Sequence, residues 1–219
     1  SHLVAATIPN CKAYDPAYAG EMAVIIDAGI REMMVEQQDV FYYVTLMNEN
    51  YAQPDVPEGA EAGILRGCYR FGTYAPASGK AKKKVTLMGS GAILTEVVKA
   101  AQLLADEGIE AEVFSVTSWS ELARDGLACE QRALAGEKDA GTPFIAQQLG
   151  GKGGKAPIIA ATDYVRVVPE SVRAFLPEGR RYITLGTDGF GRSDTRAALR
   201  GFFGVDAASI ANAARHALA

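Results

Sequence analysis

Apolar positions recur along this chain with two different spacings, and the switching between them predicts an alternation of strands and helices. Residues 3 to 9 are apolar and read as a strand, Ala17 to Met34 carry helical periodicity, and Val40 to Met47 are β-branched and aromatic. Together these three stretches predict a βαβ unit, which is part of a sheet rather than a whole one. Tyr51 to Gly59, interrupted by Pro54 and Pro57, reads as an extended linker. From Lys84 onward the rhythm becomes regular: strand Val85 to Gly89, helix Ala92 to Glu107, strand Ala111 to Val116 and a short helix near Ser120 to Asp125. Strands over Thr142 to Gln147 and Ile158 to Thr162 come next. Helix Pro169 to Phe175, strand Tyr182 to Thr187, helix Asp194 to Phe203 and a last helix over Ala207 to Ala217 complete the pattern. Such alternation implies the α/β class, with a mostly parallel, doubly wound sheet covered on both faces.

Composition agrees with a packed core, since 48% of the 219 residues are hydrophobic. A net charge of -4 argues against a nucleic-acid surface, which would present a basic face. The one basic run, Lys80 to Lys84 broken by Ala81, reads as solvated loop. Cys11, Cys68 and Cys129 lie far apart with neither zinc-ligand nor disulfide spacing, which fits a reducing, cytoplasmic setting. No apolar run approaches the roughly 20 residues of a membrane helix. The stretch Gly150-Gly151-Lys152-Gly153-Gly154-Lys155 reads as a flexible loop.

Three turns are candidates for chemistry. Gly89-Ser90-Gly91 lies between a strand and a long helix, where a dinucleotide fingerprint belongs, but Leu94 takes the place of the third glycine and the turn reads as plain. The loop Gly186 to Asp194 leads from a strand through glycines into a helix that Ser193 or Asp194 can cap. Its Thr187-Asp188-Gly189 fails as a thiamine-diphosphate metal motif, because the first glycine is missing and Asn212, the only later asparagine, falls in a predicted helix. A structural or interface role remains for it. Asn48-Glu49-Asn50 follows a strand at the end where ligands bind in open α/β sheets, and reads either as a substrate entrance or as a turn capped by its amides. The acids Glu21, Asp27 and Glu32 share one helix at spacings that suggest solvent exposure.

Several separated segments carry a specific likeness: Thr7-Ile8-Pro9-Asn10-Cys11, Asp15-Pro16-Ala17-Tyr18-Ala19, Leu46-Met47-Asn48-Glu49-Asn50-Tyr51, Pro57-Glu58-Gly59-Ala60-Glu61, Thr117 to Gly126 and Leu185 to Asp194. With them the chain resembles the homodimeric, thiamine-diphosphate-dependent pyruvate dehydrogenase components of the transketolase-like superfamily. The resemblance implies the end of a pyrimidine-side thiamine-binding domain over residues 1–51, a linker over 52–71 and a transketolase-like C-terminal domain over 72–219. It implies oxidative decarboxylation of pyruvate and acetyl transfer to lipoyl groups of a dihydrolipoyl acetyltransferase, by an enzyme that holds thiamine diphosphate and magnesium and pairs with a second copy of itself. In that family the metal ligands lie upstream, so this chain, opening at Ser1-His2, is read as a C-terminal fragment that binds neither cofactor and is silent alone.

The same resemblance assigns the candidate site. His2 falls at the end of what looks like the family's His-Ser-His segment and is the candidate catalytic residue of the longer protein; an imidazole there can donate to an oxyanion or shuttle a proton. A frayed terminus is the other reading of His2. Asn48, Glu49 and Asn50 are substrate-channel candidates, since the transketolase turn reads Ser-Arg-Gln and its arginine binds a sugar phosphate that Glu49 would repel. That difference disfavours a sugar transferase and suits a small oxo acid. A non-catalytic assembly module is the remaining alternative for the isolated chain.

Overall fold

A computed structural model describes residues 2–150 and 154–219 of the chain. The glycine-rich stretch read as a flexible loop falls partly outside these described residues, at 151–153. The chain opens with a helical turn, α1 (His2–Ala5), followed by β1 (Cys11–Tyr14), α2 (Ala19–Ile30) continuing into a π-helical turn over Arg31–Val35, and β2 (Phe41–Val44). β1 and β2 pair in parallel, from Cys11 opposite Phe41 to Tyr14 opposite Val44, which is the βαβ unit expected. Its first strand is not residues 3 to 9, however. There the amides of Thr7 and Ile8 and the Thr7 hydroxyl bond back to Val4 and Ala5 carbonyls, closing a turn, and Pro9 has no amide for a ladder.

The stretch read as linker also holds structure. Pro57 leads into α3 (Glu61–Arg66), which Gly67 ends at φ 107°, and β3 (Cys68–Tyr74) starts at once. Gly67 is required twice over, by its left-handed φ and because a Cβ there would sit 2.4 Å from the Ser118 carbonyl oxygen. The carbonyl of Gly67 accepts from the amides of Thr117 and Ser118.

The larger unit contains β4 (Lys83–Gly89), α4 (Ile93–Asp106), β5 (Ile109–Val116), α5 (Trp119–Leu134), α6 (Phe144–Leu149), β6 (Ile158–Ala161) and α7 (Val167–Glu170). After a 3-10 turn over Arg173–Phe175 come β7 (Tyr182–Leu185), α8 (Arg196–Phe203) and α9 (Ala207–Leu218). Its five strands run in the order β3-β5-β4-β6-β7, with β3 antiparallel to β5 and the other pairs parallel. Alternate residues feed two cores, as strand geometry dictates. Leu87, Val113 and Ile159 pack under α4 and α9, whereas Met88, Phe114 and Ile158 pack under α5, α6 and α7.

Two expectations in this unit change. Thr142 to Gln147 is not a strand: the Asp125 carboxylate accepts from the Phe144 amide at 2.6 Å just after Pro143, capping α6, whose Phe144, Ile145 and Leu149 are buried. The short helix expected near Ser120 to Asp125 runs on to Leu134. Gly126 lets it do so, since a Cβ at that point would lie 2.2 Å from the Phe175 ring.

The acids of α2 do not share the exposure expected of them. Asp27 is a surface partner of Arg31, but Glu32 is held by Lys12 at 2.7 Å and the Tyr42 hydroxyl at 2.9 Å. Glu21 is fully buried between the two units. Its Oε2 accepts from the amides of Ala17 and Tyr18 at 2.6 and 3.1 Å, and its Oε1 from the hydroxyls of Tyr69 and Ser115 at 2.8 and 2.5 Å. We expect Glu21→Gln to lower stability by roughly 2 kcal/mol and Glu21→Ala by roughly 3–5 kcal/mol, since the latter strands four donors. Urea unfolding measures both, and an unchanged midpoint in Glu21→Ala would show that the carboxylate contributes nothing net.

Candidate functional site

The carboxyl ends of the strands in both sheets face one another, and the polar groups of the chain concentrate there. Asp15 follows β1 and Thr45 follows β2; opposite them stand Ser90 and Gly91 after β4, Thr117 after β5, and Thr162, Asp163 and Tyr164 after β6. Backbone bonds lock the two edges together: the Asp15 amide donates to the Thr117 carbonyl at 2.7 Å, and the Gly91 amide to the Asp15 carbonyl at 2.9 Å. Gly91 adopts φ 51°, and a Cβ there would lie 2.6 Å from Asp15 Oδ2. The Gly89-Ser90-Gly91 turn is thus a cradle for a carboxylate of the first unit, and its Ser90 hydroxyl bonds Thr162 at 3.0 Å.

Asp15 is the centre of this edge. Its Oδ1 accepts from the Thr45 hydroxyl at 2.7 Å, while Oδ2, although buried, has no hydrogen-bond partner. Burial pushes the Asp15 carboxyl up to about 6, against the pull of the Thr45 bond. His2 closes the array: its Nε2 lies 2.8 Å from Thr45 Oγ1, and its ring meets those of Tyr164 and Tyr43 edge-on at 4.7 and 5.4 Å between centroids. Burial lowers the imidazole to about 4, so it is neutral at pH 7. Burial likewise raises the Tyr164 hydroxyl well above its ordinary range. The sequence singles out His2 alone of these groups. Asp15 and Thr45 sit just beyond strands, the signal that marks Asn48, but the strand that Asp15 follows was sought over residues 3 to 9 and lies at Cys11–Tyr14.

Asn48, Glu49 and Asn50 lie apart from His2 along the same edge. Glu49 is half-buried and forms a bidentate pair with Arg200, at 3.1 Å to Nη1 and 2.5 Å to Nη2. Arg200 also reaches Glu96 at 3.5 Å, and the Asn48 carbonyl accepts from the Arg196 guanidinium. The Asn50 side chain is exposed. Met47, Asp163, Thr187, Arg192, Arg196 and Arg200 line an open cleft of about 290 Å³ beside this pair. The negative charge of Glu49 is therefore matched within the chain, which weakens the long-range repulsion expected of a free carboxylate.

The glycine loop is anchored at its start and free at its tip. The Thr187 hydroxyl donates to the Asp163 carbonyl at 2.9 Å, Asp188 Oδ1 accepts from the Arg166 amide at 3.0 Å, and Phe190 is 92% exposed. α8 is capped by Thr195, which accepts from the Ala198 amide at 3.3 Å, and not by Ser193 or Asp194. The segment Thr117 to Gly126 is a clasp. Thr117 and Ser118 hydroxyls donate to the carbonyls of Ile64 and Ala13, and Arg124 to those of Cys11 and Ile8. Among the described residues no three His, Cys, Asp or Glu side chains converge as a metal-ligand set. No helix is long and apolar enough to cross a membrane, among those residues.

Comparison with known proteins gives two family matches: the transketolase-like TK C-terminal domain over residues 72–206 and the pyruvate dehydrogenase E1 component middle domain over residues 1–54. The chain is 51% identical to the pyruvate dehydrogenase E1 component of Pseudomonas aeruginosa and 48% to that of Escherichia coli K12. Each alignment covers 100% of this chain and 24% of the relative, so the chain spans about a quarter of the length of these relatives. Among solved structures, the transketolase of Campylobacter jejuni superposes with a TM-score of 0.62 at 16% identity, over 98% of this chain and 27% of that one. A split-gene transketolase described as an inactive beta4 tetramer gives 0.57 at 16% identity, over 99% and 61%. These likenesses bear out the mostly parallel α/β fold.

Two outcomes are expected from this geometry. Arg200→Gln should destabilise the chain by roughly 2–4 kcal/mol, more than Glu49→Gln, because it leaves the half-buried Glu49 with Arg196 at 3.9 Å in place of a bidentate partner and takes one of two cations from Glu96, whereas Arg200 without Glu49 still has Glu96; equal losses would refute that asymmetry. Asp15 has a raised folded-state pKa, so the native chain binds the extra proton between about 4 and 6 and its ionised form weighs against folding above that window. Asp15→Asn should therefore gain on the wild type as pH rises through this range, by up to roughly 3 kcal/mol. A pH-independent difference in thermal unfolding would contradict burial of an ionised Asp15.

Proposed function

The chain belongs to the transketolase-like C-terminal domain family, and on that premise we propose that it is the C-terminal portion of a thiamine-diphosphate-dependent pyruvate dehydrogenase E1 enzyme. The observation that carries this reading is the 48–51% identity to E1 components in alignments that cover the whole chain. The longer protein would decarboxylate pyruvate and pass the acetyl group to lipoyl groups of a dihydrolipoyl acetyltransferase, working in the cytoplasm as a pair of identical subunits. Thiamine diphosphate, held with magnesium by residues outside this chain, supplies the electron sink for decarboxylation when bound.

This chain's own part is to shape and orient. Residues 1–51 are the end of the pyrimidine-side domain, 52–71 connect, and 72–219 form the C-terminal domain that holds the first segment in register. His2, seated on Thr45, presents a neutral imidazole at the site. Asn48, Glu49 and Asn50 form the channel mouth, with Glu49 tied down by Arg200. A transketolase-like sugar transferase is the second reading, and the place of Glu49 counts against it. The turn carries a carboxylate with its own arginine partners, so Arg196 and Arg200 are already engaged and less available to a sugar phosphate.

The test is carbon dioxide release from carboxyl-labelled pyruvate by the longer protein, supplied with both cofactors. Release that depends on thiamine diphosphate, with no ketol transfer from a sugar phosphate, is expected; the reverse pattern would establish the sugar transferase. In the same assay His2→Ala should lower kcat at least tenfold, on the scale of lost proton transfer, and an unchanged kcat/KM would remove His2 from the site.

A further inference from the structure

The hydrogen-bond directions around Thr45 settle which nitrogen of His2 carries the proton. The Thr45 hydroxyl has one proton and four polar neighbours: Asp15 Oδ1 at 2.7 Å, the Tyr14 carbonyl at 3.3 Å, His2 Nε2 at 2.8 Å and the Tyr164 hydroxyl, which can itself donate to Thr45. An ionised carboxylate and a carbonyl can only accept. The single hydroxyl proton is thus committed to the shorter of these, at Asp15, and Thr45 meets His2 with a lone pair.

We propose that Asp15, acting through Thr45, is a positioning residue that holds His2 as the Nε2–H tautomer and leaves Nδ1 as its proton-accepting nitrogen. This deepens the reading of His2 as a site residue and rests on it only for the use to which the imidazole is put. Its consequence is directional: His2 faces a reacting group as an acceptor or base at Nδ1, and its one N–H donor is spent inside the protein. The rings of Tyr164 and Tyr43 box the imidazole, and Asp15 itself is fixed by backbone bonds at its amide and carbonyl, so neither end of the chain of bonds swings freely. The charged groups around the array are Asp163 and Glu21 near Asp15, both acidic. Burial keeps the His2 imidazole neutral, and Asp15, pushed up by burial to about 6, is charged at pH 7.5.

The test uses this 219-residue chain and needs neither cofactor nor turnover, so its failure is separate from that of the proposed activity. The chain has only two histidines, and His216→Gln leaves His2 as the single imidazole. Long-range proton–nitrogen correlation spectra at pH 7.5 should show the Nε2–H form with a slowly exchanging Nε2 proton. Thr45→Val, which keeps the shape and removes the acceptor, should lose that protected proton; Thr45→Ser should keep it. An Nδ1–H form in the parent chain, or a protected Nε2 proton that survives Thr45→Val, would overturn the proposal.

Discussion

Four donors converge on the buried Glu21 carboxylate, and the relation of the two sheets depends on that convergence. Two of them are amides at the β1–α2 turn and two are hydroxyls from β3 and β5, so one side chain ties the start of α2 to the antiparallel edge of the large sheet. A charged group can be taken out of water at tolerable cost only when its lone pairs are satisfied this completely. Because both oxygens are saturated, the bond set also fixes orientation: α2 cannot rotate or slide without breaking two bonds at once.

That anchoring puts the carboxyl ends of both sheets opposite each other and creates the environment of Asp15. There the protein does the reverse of what it does at Glu21. Oδ1 is bonded and Oδ2 is not, and burial pushes the carboxyl upward against the pull of the neighbouring hydroxyls. A fully solvated or fully bonded aspartate would hold Thr45 no better, but it would not sit poised near neutral pH. Gly91 is what permits the arrangement, since any side chain there would collide with the carboxylate.

Much of the larger unit was legible in the sequence because buried parallel strands and long amphipathic helices have strong periodic signals, as in β4, α4 and β5. The likeness of separated segments likewise pointed to the right family. The errors have local physical causes. Residues 3 to 9 have strand composition, but Thr7 bonds back to Val4 and closes a turn; Thr142 to Gln147 look extended, yet the Asp125 carboxylate, nineteen residues before Phe144, caps Phe144 to Leu149 as a helix. β3 was missed because an edge strand with Arg70, Gly72 and Thr73 lacks a continuous apolar run. Glu21 was misread for a deeper reason. Its burial is set by Tyr69 and Ser115, which lie 48 and 94 residues away, and no helical spacing within α2 encodes them.

Several groups of residues 2–51 that shape the candidate site are held by the later part of the chain. Asp15 is cradled by Gly91, Glu49 is paired with Arg200, the Ala13 carbonyl is held by Ser118, and Cys11 and Ile8 are held by Arg124. The chemistry-bearing side chains thus ride on the small first unit, which has only two strands and little core of its own, while the five-stranded sheet supplies rigidity. This division explains why the segment Thr117 to Gly126, which holds no group suited to catalysis, carries so specific a residue pattern. Its Thr117, Ser118, Arg124 and Asp125 each satisfy a backbone or charged group on another element. The constraint on those residues is to place His2, Asp15 and Thr45 accurately, and accuracy of placement is what a proton-accepting imidazole needs most.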